Sequence, residues 1–313
     1  MAVSPQALVL RALGLGDLLT AVPALRALRR GLPGRRITLA APAVLGPLAR
    51  ATGAVDDVLP VDGLERPLPP TGPVDVAVNL HGRGPRSHRL LAASAPRRLL
   101  AFACPGAGYG GGPAWDPDEH EVSRWCGLVA AFGFDADPGD LDLPAPATAS
   151  PAPGAVVVHP GAASPARRWP ADRFAAVAAA LRDGGVRVVV TGGPGEAGLA
   201  RRVVRLAGLD ETADLSGRTT LPELAALVAA ARLVVCGDTG VAHLATAFRT
   251  PSTVLFGPTP PARWGPPRRA EHHVLWAGRH GDPHGRVPFP GLLEISAGQA
   301  LDAAEKALAN HAR

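Results

Sequence analysis

One segment constrains the fold more than any other. Leu233-Val234-Val235 is a short apolar run, and Cys236-Gly237-Asp238-Thr239-Gly240 is a tight polar turn. Val241-Ala242-His243-Leu244 then opens a helix, and Thr253-Val254-Leu255-Phe256 is a second apolar run closed by Gly257-Pro258-Thr259. The order is strand, turn, helix, strand, turn, as at the carboxyl end of a parallel strand, where open α/β sheets hold ligands. A helix start offers free backbone N–H groups and the positive end of its dipole. Anionic groups, phosphate above all, bind there. The segment therefore predicts a ligand that carries a phosphate or a nucleotide.

The same pattern recurs along the chain. Ala7-Leu8-Val9-Leu10 reads as a strand, followed by the glycine turn Leu13-Gly14-Leu15-Gly16-Asp17 and by apolar residues at helical spacing over residues 18–30. Further strands are expected at residues 36–40, 58–61 and 74–80, with helices at 44–52 and 119–132. Residues 135–154 are rich in proline, alanine and aspartate and read as a linker. A second run follows: strands at 155–158 and 186–190, helices at 171–182, 195–206 and 221–230, then the opening segment. Residues 268–293 loosen into a stretch rich in His, Gly and Pro, and residues 296–309 form an amphipathic helix with Ser296 as N-cap. Strands alternating with helices predict doubly wound parallel sheets in two domains, 1–150 and 151–313. Substrates in such an arrangement commonly lie in the cleft between domains.

Composition excludes several classes. Of the 313 residues 47% are hydrophobic and 19% charged, which suits a soluble globular chain. No run of about eighteen uncharged apolar residues occurs, so no spanning helix is expected. Residues 1–5 lead straight into a strand without a basic region and apolar core, so no signal peptide is expected either. Cys104, Cys126 and Cys236 have neither metal-ligand spacing nor the number for a disulfide framework, which fits a reduced cytoplasmic setting. The net charge of +5 is carried by arginine, since Lys306 is the only lysine. With 4% aromatic residues and no concentrated basic face, nucleic acid is not an expected partner, whereas an anionic membrane surface is an open one.

Several turns carry candidate chemistry. Asp17 follows the first strand near a helix start, where it is either an N-cap or a group aimed at the cleft. The dinucleotide fingerprint is incomplete there, because no third glycine falls at the required spacing. In the block from His159-Pro160-Gly161 to Arg167-Arg168-Trp169-Pro170, Gly161 permits close approach to backbone, and Arg167 and Arg168 suit a diphosphate. Glu196, after Thr191-Gly192-Gly193-Pro194-Gly195, suits ribose hydroxyls or a helix first turn. Asn79 ends a strand of the first half, and His81, Arg83, Arg86 and His88 follow it as an acceptor loop or a solvated one. His272, His273, His280 and His284 match no zinc spacing, and Asp135-Ala136-Asp137 lies in the linker, so no metal site is expected. Ser164, Cys126 and Cys236 lack a neighbouring base.

In order and spacing these residues resemble glycosyltransferase family 9, the ADP-heptose:lipopolysaccharide heptosyltransferase family, over nearly the whole chain. The likeness is carried by Gly16-Asp17 with Pro23, by the block from His159 to Pro170, and by Asp238-Thr239-Gly240 with His243 and Gly257-Pro258-Thr259. It implies the GT-B architecture, two Rossmann-like domains facing across a cleft, and an inverting enzyme without metal or cofactor. It implies Asp17 as general base and Arg167, where the family commonly has lysine, at the donor diphosphate. Glu196 would lie near the nucleoside, and Asp238, Thr239, Gly240 and His243 at the sugar and phosphate. The Lys-to-Arg difference keeps the charge but changes its geometry. The resemblance thus implies transfer of a heptose or related sugar from a nucleoside-diphosphate donor, ADP-linked, to a hydroxyl of a glycan, glycolipid or metabolite. The protein is expected as a cytoplasmic monomer, with peripheral contact at the inner membrane face left open. Two rivals remain: a non-catalytic GT-B-like nucleotide-sugar binding protein and a nucleotide-sugar epimerase of the same fold.

Overall fold

The apolar runs become short parallel strands because each is followed by a glycine-bearing turn and a crossover helix. In the computed structural model, which describes residues 6–311, the chain divides into units Met1–Pro144 and Ala145–Arg313. The division falls inside the proline-rich stretch, a few residues before the expected 150.

In the first unit β1 (Gln6–Leu10), β2 (Arg36–Ala41), β3 (Asp57–Pro60), β4 (Val76–Asn79) and β5 (Arg98–Leu100) form one sheet in the order β3-β2-β1-β4-β5. All its pairs are parallel, with Leu8 opposite both Thr38 and Ala77. Its helices are α1 (Leu15–Thr20), α2 (Val22–Gly31), α3 (Gly46–Ala51), α4 (Arg86–Ala92) and α5 (Glu121–Ala130). The single helix expected over residues 18–30 is two helices. Pro23 stands in the first turn of α2 and has no N–H to continue α1. Two elements went unpredicted. α4 begins in the polar stretch expected as a loop, and β5 is a three-residue strand with a half-exposed start. Leu8, Leu10, Ala40, Ala77 and Leu91 pack together as part of the core.

In the second unit β6 (Val156–His159), β7 (Val188–Val190), β8 (Leu233–Gly237), β9 (Ser252–Phe256) and β10 (His272–Trp276) form a parallel sheet in the order β10-β9-β8-β6-β7. Its helices are α6 (Ala171–Asp183), α7 (Ala197–Leu206), α8 (Leu221–Ala229), α9 (Gly240–Ala247), α10 (Pro261–Trp264), α11 (Pro290–Leu293) and α12 (Ala297–His311). β10 lies inside the histidine-rich stretch that sequence reading left irregular. As the sheet's outer strand it is only partly buried and lacks a plain apolar run. α12 is the expected closing helix. Ser296 Oγ accepts from Gln299 N at 3.2 Å, and Gln299 Oε1 accepts from Ser296 N at 2.8 Å. Ala300, Ala304 and Ala307, one face of α12, are fully buried against Trp169, Phe174 and the valines of β6 and β7. Trp169 donates Nε1 to Ile295 O at 3.0 Å and meets Phe174 edge-on, which locks the turn before α6.

Candidate functional site

Each sheet has its topological switch point beside its first strand. The chain leaves β1 toward β2 and returns on the other side as β4; it leaves β6 toward β7 and returns as β8. Turns at the carboxyl ends of such strands leave a crevice where ligands bind. Asp17 and His81 follow β1 and β4. Gly161–Arg168 and Asp238–His243 follow β6 and β8.

Asp17 stands at the third position of α1, not at its N-cap. The cap is Gly14, whose N–H donates to Asp17 Oδ2 at 3.2 Å. The other oxygen, Oδ1, lies 3.6 Å from Arg11 Nη2, and the side chain keeps 27% of its exposure. Burial pushes the Asp17 carboxyl above the usual aspartate value; the Arg11 charge opposes this and Glu121 adds to it. A partly exposed carboxylate of raised basicity suits proton abstraction at neutral pH.

Sequence reading missed the group behind Asp17. Arg11, the residue after β1, is 1% exposed. Its Nε donates to Asp17 O and its Nη1 to Leu80 O, and its Nη2 reaches Thr20 Oγ1 and Glu121 Oε1, each at 3.1 Å. Glu121 also accepts from Trp125 Nε1 at 2.8 Å and from Arg124 Nη1. The guanidinium of Arg11 stacks on Trp125 at 4.7 Å, and that of Arg124 on Trp115 at 4.4 Å. The only sequence signal was an arginine inside the apolar run from Leu8 to Leu13.

The acceptor-loop residues part company. Asn79 is fully buried, with Nδ2 donating to Gly82 O at 3.1 Å and Ser87 Oγ at 3.0 Å. Its Oδ1 accepts from His81 N at 3.1 Å. Both ends of its amide thus hold the loop. His88 is likewise buried, with Nε2 against Phe102 O at 2.8 Å. Arg86 pairs with Glu65 at 3.2 Å on the surface. His81 is half-buried with an Nδ1 that has no partner among the described residues, and burial, with the Arg11 charge, pushes its ring down to about 4. It is therefore neutral at physiological pH. Arg83 is exposed and makes no hydrogen bond or ion pair among the described residues, which leaves it available to an anionic group.

The donor-side candidates fall into two contact groups, Arg167 with Asp238 and Glu196 with Gly161. Arg167 lies 3.7 Å from Asp238 Oδ2 and 3.5 Å from Asp238 O, and its Nε is buried without a partner among the described residues. Asp238 is 5% exposed. Gly237 lets the Arg167 carbonyl come close: a Cβ there would lie 3.1 Å from that oxygen. Thr239 is the N-cap of α9 in extended backbone and makes no side-chain cap. Gly240 opens α9, and His243, one turn in, stacks edge-on against Trp264 at 5.9 Å. Glu196 lies over Gly161, where a Cβ would meet its carboxylate at 2.2 Å. Its Oε2 accepts from Gly193 N at 2.8 Å and lies 3.9 Å from His159 Nε2. Burial keeps the His159 ring below its usual value against the pull of Glu196, and its Nδ1 meets Thr191 Oγ1 at 2.9 Å. Arg168 does not join Arg167: its Nε turns back to Ala162 O at 2.9 Å and braces the turn.

The remaining candidates hold local structure. His272 bonds Ser252 Oγ at 2.9 Å on β10, and burial pushes it down to about 4. Among the described residues no group of three His, Cys, Asp or Glu side chains is arranged to hold a metal ion. Burial pushes the Cys126 thiol up to about 12 and the Cys236 thiol higher still. Asp137 closes its own turn on Gly139 N at 2.8 Å.

Two parallel α/β units with candidate turns at their switch points are the GT-B fold of sugar-nucleotide transferases. The chain is similar to Escherichia coli ADP-heptose lipopolysaccharide heptosyltransferase II, with TM-score 0.79 and 21% identity over 98% of this chain and 100% of that one. A glycosyltransferase family 9 structure from Veillonella parvula matches with the same TM-score, 0.79, over 99% of both chains at 21% identity. The profile of glycosyltransferase family 9 (heptosyltransferase) matches residues 114–284, more than half of the chain, and the chain belongs to that family. It is 35% identical over 128 residues to lipopolysaccharide heptosyltransferase 3 of E. coli K12, covering 40% of this chain and 37% of that protein. It is 32% identical over 167 residues to lipopolysaccharide heptosyltransferase 1 of Pseudomonas aeruginosa, covering 51% and 46%. The chain thus spans less than half the length of these curated relatives. The donor-side residues lie within the profile match; Asp17, Asn79, His81 and Arg83 precede it.

Proposed function

We propose that this chain is an inverting glycosyltransferase. It moves a heptose or related sugar from a nucleoside-diphosphate donor to a hydroxyl of a glycan, glycolipid or small-molecule acceptor. The observation that carries this reading is the Arg167 guanidinium. It stands beside Asp238 at the start of α9, where Thr239 makes no side-chain cap, with a buried N–H that no described residue accepts. Fixed donors and a helix dipole aimed at one spot stabilise the charge that grows on a departing diphosphate. The heptosyltransferase names of the relatives support the sugar. The solved structure of E. coli heptosyltransferase WaaC with ADP, similar in fold at TM-score 0.71, supports adenine as the base.

The roles in this reading are those that the family resemblance implies. Asp17 takes the proton of the acceptor hydroxyl as that oxygen bonds the anomeric carbon. The carbon–oxygen bond to the diphosphate breaks on the opposite face, which inverts the centre. Arg167 and the N–H groups of α9 take up the negative charge, so no metal is called for. Glu196, braced by Gly193 N–H, receives the ribose hydroxyls close to the backbone at Gly161. Arg83 meets an anionic part of the acceptor. The enzyme works as a cytoplasmic monomer with peripheral contact to anionic lipid. Among the described residues no helix is long and apolar enough to cross a membrane.

The test is purified protein with ADP-heptose, a chelator, and an extract that contains acceptors. ADP release that requires the extract and survives chelation supports transfer without metal. Conversion of donor by protein alone points to an epimerase, and binding without consumption to a binding protein.

A further inference from the structure

The carboxylate of Asp17 and the guanidinium of Arg11 form an ion pair without a hydrogen bond between the side chains. Arg11 Nη2 stands 3.6 Å from Asp17 Oδ1 but 3.1 Å from Glu121 Oε1 and from Thr20 Oγ1. The rest of Arg11 is committed to backbone, to the carbonyls of Asp17 and Leu80. Glu121 cannot swing away, because its Oε1 also holds Trp125 Nε1 at 2.8 Å and its Oε2 holds Arg124. Arg124 is itself pinned to Asp116 O at 2.9 Å and Glu119 O at 2.7 Å. Without Glu121, a buried guanidinium would turn its charge onto the nearest carboxylate, which is Asp17, and make it a weaker base.

We propose that Glu121 is a positioning residue for Asp17: it occupies the Arg11 nitrogen that faces Asp17, so that Arg11 fixes the backbone of the base without capturing its carboxylate. This rests on Asp17 being the base in the reading above. The charged groups acting on Asp17 are Arg11, at the end of β1, and Glu121, on α5, with Arg124 behind Glu121. His81, on the loop after β4, also feels Arg11 but is neutral above about pH 4.

The test follows the Asp17 side-chain carboxyl by carbon-13 NMR, its resonance identified by its loss in D17N, beside the pH profile of kcat/KM with ADP-heptose and acceptor extract. In E121Q, Arg11 acts on Asp17 unopposed. The carboxyl titration and the acidic limb both move down by about one pH unit, and the plateau rate falls about tenfold. R11Q/E121Q replaces the ion pair with two amides of similar shape, a change that buried pairs often tolerate. There the titration moves up past the wild-type value, because the opposing Arg11 charge is gone. A folded E121Q whose Asp17 titrates as in the wild type overturns the proposal. If E121Q fails to fold, an unmoved titration in R11Q/E121Q overturns it instead. A D17N enzyme that keeps its activity overturns the base assignment and this proposal together. An inactive D17N with an unmoved E121Q titration overturns the positioning role alone.

Discussion

Asp17 and Arg167 were legible as residues because their neighbours announce them: a glycine turn opening a helix, and an arginine after a small-residue turn. Asp17→Asn keeps the shape but cannot take a proton, so kcat falls at least about 100-fold. Donor affinity, measured by calorimetry, stays within about twofold, because the proposed function assigns the donor to other residues. If Arg167 faces the leaving group as proposed, Arg167→Ala lowers kcat by about 100-fold, with partial recovery in Arg167→Lys. Glu121 was not legible. Its bond to Arg11 spans 110 residues of chain, and nothing local marks it. Burial alone would raise the Glu121 carboxyl, but the charge and hydrogen bond of Arg11, with Arg124 and Trp125, hold it below its usual 4.5. Its folded value lies below its unfolded value, so the stability it contributes is complete above pH 4.5 and is lost as pH falls through the folded value. The stability gap between wild type and Glu121→Gln, read by urea denaturation, therefore narrows between about pH 7 and about pH 3.5.

At the scale of elements, long apolar-periodic helices and valine-rich strands were predicted well, and short or polar ones were not. β5 has three residues and β10 is a partly exposed outer strand, so neither carries the apolar run that marks a buried strand. α4 is held by the buried Ser87, His88 and Leu91, although its sequence reads as a charged loop. Pro23 was noted as a marker, yet its local effect is to divide α1 from α2. The turn after β6 places Gly161 under the Glu196 carboxylate. Gly161→Ala would drive a methyl into that carboxylate, the free end of a side chain that can move aside. The cost therefore falls on function: donor affinity drops about tenfold, while the melting temperature moves by less than about 3 °C. Equal losses in both would show that Gly161 serves the fold and not the ligand.

At the scale of the whole molecule, the two units have separate sheets and separate cores. The core cluster of the second unit includes α12 and draws on residues of Ala145–Arg313. A fragment of residues 145–313 is expected to fold cooperatively by circular dichroism. It should bind ADP within about tenfold of the full chain and release none from ADP-heptose. A fragment that fails to fold would show that the second unit depends on the first.

The sequence by itself determined the alternation of strand and helix, the two parallel sheets and the turns that carry Asp17, Arg167, Glu196 and Asp238. Those features depend on periodicity and turn chemistry over a few residues, which a chain displays openly. Tertiary structure alone decided how the candidates divide. It took Asn79, His88 and Arg168 into local bonding, left Arg83 exposed, and set Arg11 between Asp17 and Glu121. Burial and charge depend on which distant residues meet, and no local pattern encodes that meeting.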